Sequence, residues 1–177
     1  MMTESSNKSD KSWFVIYTRS RAEKKVRDEL THNNIESFLP LQKQLRQWKD
    51  RKKWVEIPLI SGYCFVRITK KEYEKVLQTN GVVCFIKFEG KAAVIPDNQI
   101  DYLRQMLGQF DFEVNVSLEN FSPGKKVEVI TGPMIGLRGE LIETRGKNKL
   151  VLRFNQINSI FTVEIPASHL SLLPVEV

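Results

Sequence analysis

Histidine and cysteine are scarce in this chain, with two of each in 177 residues. Cys64 and Cys84 sit in the apolar runs "GYCFVRI" and "VVCFIKF", where cysteine behaves as a small buried hydrophobe. A disulfide framework is therefore not expected, and the compartment expected is the cytoplasm. Neither His32 nor His169 lies near a cysteine or carboxylate cluster at ligand spacing, so no metal site is expected. No apolar run approaches the roughly 20 residues of a membrane span. The opening "MMTESSNKSDKS" is polar with no apolar core, which argues against a signal peptide and leaves residues 1–11 as an expected disordered tail. Nor is there a nucleophile with a base, or a phosphate cradle. "GPMIGLRG" is glycine-rich but lacks the lysine and Ser/Thr of a P-loop. The expectation is a protein that is not an enzyme and takes no cofactor.

What is present is a chain with 41% hydrophobic residues, enough for one domain or two small ones. The net charge is +6, and it is concentrated. One basic cluster holds Arg19, Arg21, Lys24, Lys25 and Arg27 in "TRSRAEKKVRDEL"; the other holds Lys43, Arg46, Lys49, Arg51, Lys52 and Lys53 in "LQKQLRQWKDRKKW". Trp48 and Trp54 interleave the second, a pattern compatible with an anionic partner as well as with a solvated loop.

"WFVIY" (13–17) reads as a strand, and Ser20-x-x-Glu23 as a capping box opening a helix with Ala22, Val26 and Leu30 on one stripe. "IESFLPL" (35–41) is a second strand, the basic stretch a loop or extended hairpin, and "IPLISGYCFVRI" (57–68) a third strand. Thr69-x-x-Glu72 opens a second helix with Tyr73, Val76 and Leu77 inward and Gly81 beyond its end. A fourth strand follows at "VVCFIKF", then a third helix from Pro96-Asp97 through Ile100, Leu103 and Leu107. The order β-α-β-β-α-β predicts a ferredoxin-like sandwich within an α+β chain. Strand parity separates Tyr63, Phe65 and Arg67 from Cys64, Val66 and Ile68, and the helices are expected to bury the second set. Tyr63 and Phe65 would then lie on the open face.

Residues 110–121 read as a linker between a first domain at 12–109 and a second at 122–177. The second contains "KVEVI", "GELIET", "KLVLRF", "IFTVEI" and "HLSLL", short strands expected to make a small SH3-like barrel. Gly132, Gly136 and Gly139 are expected to let a turn bend tightly at its rim.

"FSPGKKVEVITGPMIGLRGELIE" resembles a KOW motif. "WFVIYTRSRAEKKV", "FLPLQKQLRQW", "PLISGYCFVRI" and "TNGVVCFIKF" resemble the N-terminal domain of the NusG family of transcription elongation factors, and within it the RfaH/UpxY antiterminator branch. Ile60-Ser61 stands where that family usually has Phe-Pro. The resemblance implies an N-terminal domain that binds the clamp helices of RNA polymerase through its open sheet face and suppresses pausing and termination. It implies that Tyr63, Phe65 and Phe85 contact polymerase, and that Arg19, Arg21, Lys24 and Lys25 meet non-template DNA in the transcription bubble. Glu72 to Lys75 falls near the family's second polymerase contact but lacks RfaH's threonine-rich motif. Met134, Ile135 and Leu137 fall on the rim loop by which KOW barrels recruit a small-subunit ribosomal protein or the termination factor Rho. A monomer with no membrane partner is implied.

In RfaH the C-terminal unit can fold as a helical hairpin that masks the polymerase site. Here glycines 132, 136, 139 and 146, Pro133 and the run Val127-Glu128-Val129-Ile130-Thr131 favour a barrel, since glycine in a helix interior costs up to about 1 kcal/mol and proline about 3. A rival function is RNA binding. "SGYCFVRI" is similar to the third-strand motif of an RNA recognition module, in which bases would stack on Tyr63 and Phe65, although the leading basic residue and final aromatic are replaced by Ser61 and Ile68.

Overall fold

The computed structural model describes residues 11–108, 113–117 and 123–174. The expected disordered tail lies, but for Lys11, outside these residues. So does most of the expected linker. The chain is mixed α/β, with many short strands and few helices. It divides into two compact units, residues 11–39 with 60–97 and residues 40–59 with 98–174.

The first unit is built on β1 (Ser12–Thr18), β2 (Glu36–Phe38), β5 (Tyr63–Ile68) and β6 (Val82–Phe85), in the order β2-β5-β1-β6, with β9 (Val94–Ile95) also pairing β1. All these pairings are antiparallel. Helix α1 (Glu23–His32) buries Glu23, Val26 and Leu30, and the short α2 (Tyr73–Leu77) buries Val76. The capping box at Thr69 forms: the Glu72 carboxylate accepts from the Thr69 N–H at 2.8 Å. It opens one 3₁₀ turn before α2. The expected box at Ser20 does not form. Helix α1 starts at Glu23 with no side-chain cap, and Glu23 instead accepts from the buried N–H of Gly62 at 2.8 Å.

The run expected as one strand over 57–68 is broken in the same place. Gly62 has φ +81°, a left-handed conformation open to glycine, and a Cβ there would stand 2.6 Å from the Tyr17 ring. The strand register of β5 therefore begins only at Tyr63. A two-residue pair, β7 (Lys87–Phe88) with β8 (Lys91–Ala92), completes this unit.

In the second unit, β3 (Leu41–Gln47) and β4 (Lys52–Pro58) form a two-stranded antiparallel hairpin. Helix α3 (Asp97–Leu107) begins at the last residue of the first unit, and buries Ile100, Leu103 and Met106. A six-stranded antiparallel sheet follows the order β10-β14-β13-β12-β11-β15. Its strands are β10 (Val114–Ser117), β11 (Lys125–Val129), β12 (Arg138–Thr144), β13 (Lys147–Phe154), β14 (Ser159–Glu164) and β15 (Leu170–Leu172). Residues 114–117, expected in a linker, thus belong to the sheet: Val114 pairs with Val163 and Val116 with Phe161. Their Val-x-Val alternation lets one side chain in two reach the core, and Val114 is buried.

The core of this sheet is lined by Val127, Val129, Leu150, Leu152, Phe154, Phe161 and Val163. Phe154 and Phe161 pack edge to face at 4.8 Å. The described residues 123–174 contain strands and 3₁₀ turns and no α-helix, as the glycine and β-branched content predicts. Gln99 and Gln105 on α3 donate to the carbonyls of Arg153 (3.2 Å) and Ile135 (2.9 Å), tying the helix to the sheet.

Candidate functional site

In the first unit the register places Trp13, Val15 and Tyr17 of β1 on the sheet face that carries Arg67, Phe65 and Tyr63 of β5. Parity is as expected, yet exposure is not uniform along the face. Phe65 is fully buried, with its ring stacked on Phe38 at 5.9 Å, and Trp13 and Val15 are buried beside it. Phe65 is thus a core residue, not a surface aromatic. Alternation assigns a side chain to a face but does not reveal what covers that face.

The other end stays open. Tyr17 is 41% exposed and meets the half-buried Tyr63 edge to face at 6.0 Å. Cys84, opposite Tyr17 in the β1–β6 pairing, is exposed too, contrary to the buried role its apolar run suggests. The expectation for Phe85 also fails. A register shift between Tyr17 and Thr18 pairs Phe85 with Ile16 and turns it to the helix-covered face. There it stacks on Tyr73 of the second helix at 4.0 Å. On this sheet face the aromatics that reach solvent are therefore Tyr17 and Tyr63. Sequence reading missed Tyr17 because "WFVIY" looks uniformly apolar, though its parity with Tyr63 was the available signal.

Arg19, Arg21, Lys24 and Lys25 are all exposed. The chain turns from β1 into α1 over Arg19, whose N–H donates to the Gly81 carbonyl at 2.8 Å. Arg21 takes φ +63°, unusual for a residue with a Cβ. The turn gathers the four cations at the N-terminal end of α1, while Arg27 is half-buried and pairs with Asp28 at 2.7 Å.

In the second unit the rim loop is closed by Gly136 N–H donating to the Val129 carbonyl at 2.8 Å. Gly132 and Gly136 have φ +86° and +84°, which explains glycine at both positions. Met134 and Leu137 point into the core, at 1% and 0% exposure. They are packing residues and not docking groups: the Leu137 N–H donates to the Met134 carbonyl at 3.1 Å, and the turn between them seats both side chains beneath the loop. Ile135 remains exposed, as do Ile130 and Leu172 at the strand ends. Near the start of this sheet Glu140 receives Arg153 (3.0 Å) and the Gly124 N–H (3.2 Å). Burial alone would raise its pKa, but the hydrogen bonds from Arg153 and Gly124 and the nearby charges of Arg153 and Lys126 outweigh burial and leave it lowered.

Among the described residues no group of three or more His, Cys, Asp or Glu could hold a metal ion, and no helix is long and apolar enough to cross a membrane.

A family model described as NusG, transcription termination factor nusG, matches residues 11–104. The transcription termination/antitermination protein NusG of Streptococcus pyogenes serotype M3 is 26% identical over 167 residues, covering 88% of this chain and 93% of that one. The protein of the same name from Halalkalibacterium halodurans is 25% identical over 173 residues, covering 88% and 95%. Among solved structures, Thermotoga maritima NusG aligns over 93% of this chain and 98% of its own, with 21% identity and a TM-score of 0.49. With a family model spanning more than half of its length, this chain belongs to the NusG family.

Proposed function

We propose that this protein is a non-enzymatic transcription elongation and antitermination factor of the cytoplasm, acting as a monomer on RNA polymerase. Family membership over residues 11–104 carries this reading. The strand order β2-β5-β1-β6, with a helix after the first and third of those strands in sequence, supports a ferredoxin-like N-terminal domain near residues 12–109. The short antiparallel strands after residue 122 support an SH3-like KOW barrel.

The exposed end of the sheet face, Tyr17 and Tyr63, is the surface we assign to the polymerase clamp helices. Arg19, Arg21, Lys24 and Lys25 are assigned to non-template DNA. A factor that binds the closed clamp more tightly than the opened, paused one lowers pausing by differential affinity alone. Placement in the RfaH/UpxY branch rests on the "PL..GY.FVR" stretch with its basic neighbour. The rim loop, with Ile135 and Ile130 exposed, is assigned to partner recruitment; binding of the isolated small-subunit ribosomal protein or of Rho distinguishes the two candidates.

The RNA recognition reading is disfavoured by one observation. Phe65, which would stack a base, has no exposed surface.

The test is an in vitro transcription assay on a pause-containing template together with polymerase capture. The protein should shorten pausing and co-purify with polymerase, and Tyr17→Ala with Tyr63→Ala should abolish both while leaving the unfolding midpoint close to wild type. Unaltered pausing and no capture by the wild type would sink the proposal.

A further inference from the structure

The β3–β4 hairpin carries two of the three tryptophans of the chain, and both are largely exposed: Trp48 at 55% and Trp54 at 65%. Exposure of one large apolar side chain is ordinary. Two indoles on a single ribbon, with Leu45 (49% exposed) opposite Trp54, are not. The pairing places Trp54, Leu45, Lys52 and Gln47 on one face, and Arg46 and Lys53 on the other. Trp48 sits at the turn, where its N–H donates to the Arg51 carbonyl at 2.8 Å, and Lys49 and Arg51 flank it. Arg46, Lys49, Arg51, Lys52 and Lys53 are all exposed, against Asp50 and Glu56 as the only acids of the ribbon.

We infer that this hairpin is a binding surface for single-stranded nucleic acid. Exposed aromatic rings interleaved with cations are what an unpaired strand requires, since bases stack on the rings while the phosphates are neutralised. A duplex hides its base faces and would leave both indoles without a role. A membrane surface would want the apolar groups on one side with cations at the margin, whereas here the cations occupy both faces and the tip. The inference does not rest on the polymerase reading and is tested without polymerase.

The probes are fluorescently labelled fifteen-nucleotide oligo(dT) and oligo(U), a fifteen-base-pair duplex, and phosphatidylserine-containing vesicles, each titrated into the full chain. Trp13 is 2% exposed, so quenching of tryptophan emission by an oligonucleotide reports on Trp48 and Trp54. Quenching is expected with either single strand, and the dT and U arms separate DNA from RNA as the strand taken. Trp54→Ala and Trp48→Ala should each weaken strand affinity roughly tenfold, and Trp54→Phe should retain most of it. Lys52→Gln with Lys53→Gln should flatten the log-affinity against log-salt slope by about 0.7 for each phosphate no longer neutralised. The indoles are exposed, so these variants should melt like wild type, and circular dichroism checks that. Unchanged affinity in Trp48→Ala and Trp54→Ala, tighter binding of the duplex than of either strand, or tryptophan-dependent binding of the vesicles only overturns the inference.

Discussion

The backbone N–H of Gly62 donates to Oε1 of Glu23 at 2.8 Å, and Glu23 is 5% exposed. The carboxylate at the head of α1 thereby holds the turn that delivers Tyr63 to the sheet. Glu23→Ala leaves a buried donor without an acceptor, a loss of about 1–3 kcal/mol. Glu23→Gln keeps an acceptor and should cost less. Urea unfolding of the two variants checks the ranking; equal costs would show that the hydrogen bond is not what matters.

Gly62→Ala combines a left-handed backbone with a Cβ 2.6 Å from the Tyr17 ring. The loss should exceed about 1 kcal/mol, and Tyr17 must move. A lowered melting temperature together with shifted Tyr17 ring resonances is the expected result.

Phe65 and Tyr63 are neighbours but one in the same strand, with opposite outcomes expected on substitution. Phe65→Ala removes a fully buried ring and should cost about 3–5 kcal/mol. Phe65→Asp should unfold the first unit, since it buries a charge. Tyr63→Ala should remain folded and lose polymerase affinity. Circular dichroism alongside polymerase capture separates the two cases.

The two cysteines should differ sharply in reactivity. Cys64 is buried, and burial pushes its thiol up to about 12, with Arg27 opposing and Glu23 reinforcing the rise. Cys84 is exposed. The thiolate is the reactive species, so a thiol reagent at pH 8 should modify one equivalent in the native protein and two after denaturation. Two fast equivalents in the native state would contradict the placement of Cys64.

Acid should weaken the second unit through Glu140. Its folded pKa lies below the unfolded value, because the bonds from Arg153 and Gly124 and the nearby positive charges outweigh the opposing effect of burial. The contribution is therefore fully present above the unfolded carboxylate pKa of about 4.3 and is lost as pH falls through the folded pKa. Glu140→Gln should be less stable than wild type at pH 7, and the gap should narrow below about pH 4. Chemical denaturation of both proteins at pH 7 and pH 3 measures it, and a constant gap would rule the linkage out.

What the sequence determined by itself is local and periodic. The five short strands expected after residue 122, the capping box at Thr69 and the split of β5 into two faces all depend on neighbours a few residues away, and all are present in the structure. The absence of an α-helix among the described residues 123–174 has the same origin, because glycine and β-branched residues penalise a helix wherever they occur. Tertiary structure decided which members of a face are covered. Phe65 and Tyr63 share a parity, yet one is sealed and the other meets solvent; a one-residue register shift turned Phe85 inward beside Tyr73. Ser20-x-x-Glu23 is as good a capping signal as Thr69-x-x-Glu72, but Gly62, 39 residues further along, offered Glu23 a buried donor. Burial and hydrogen-bond partnership depend on groups distant in the chain, and their competition with the local signal is settled only when the sheet closes around them.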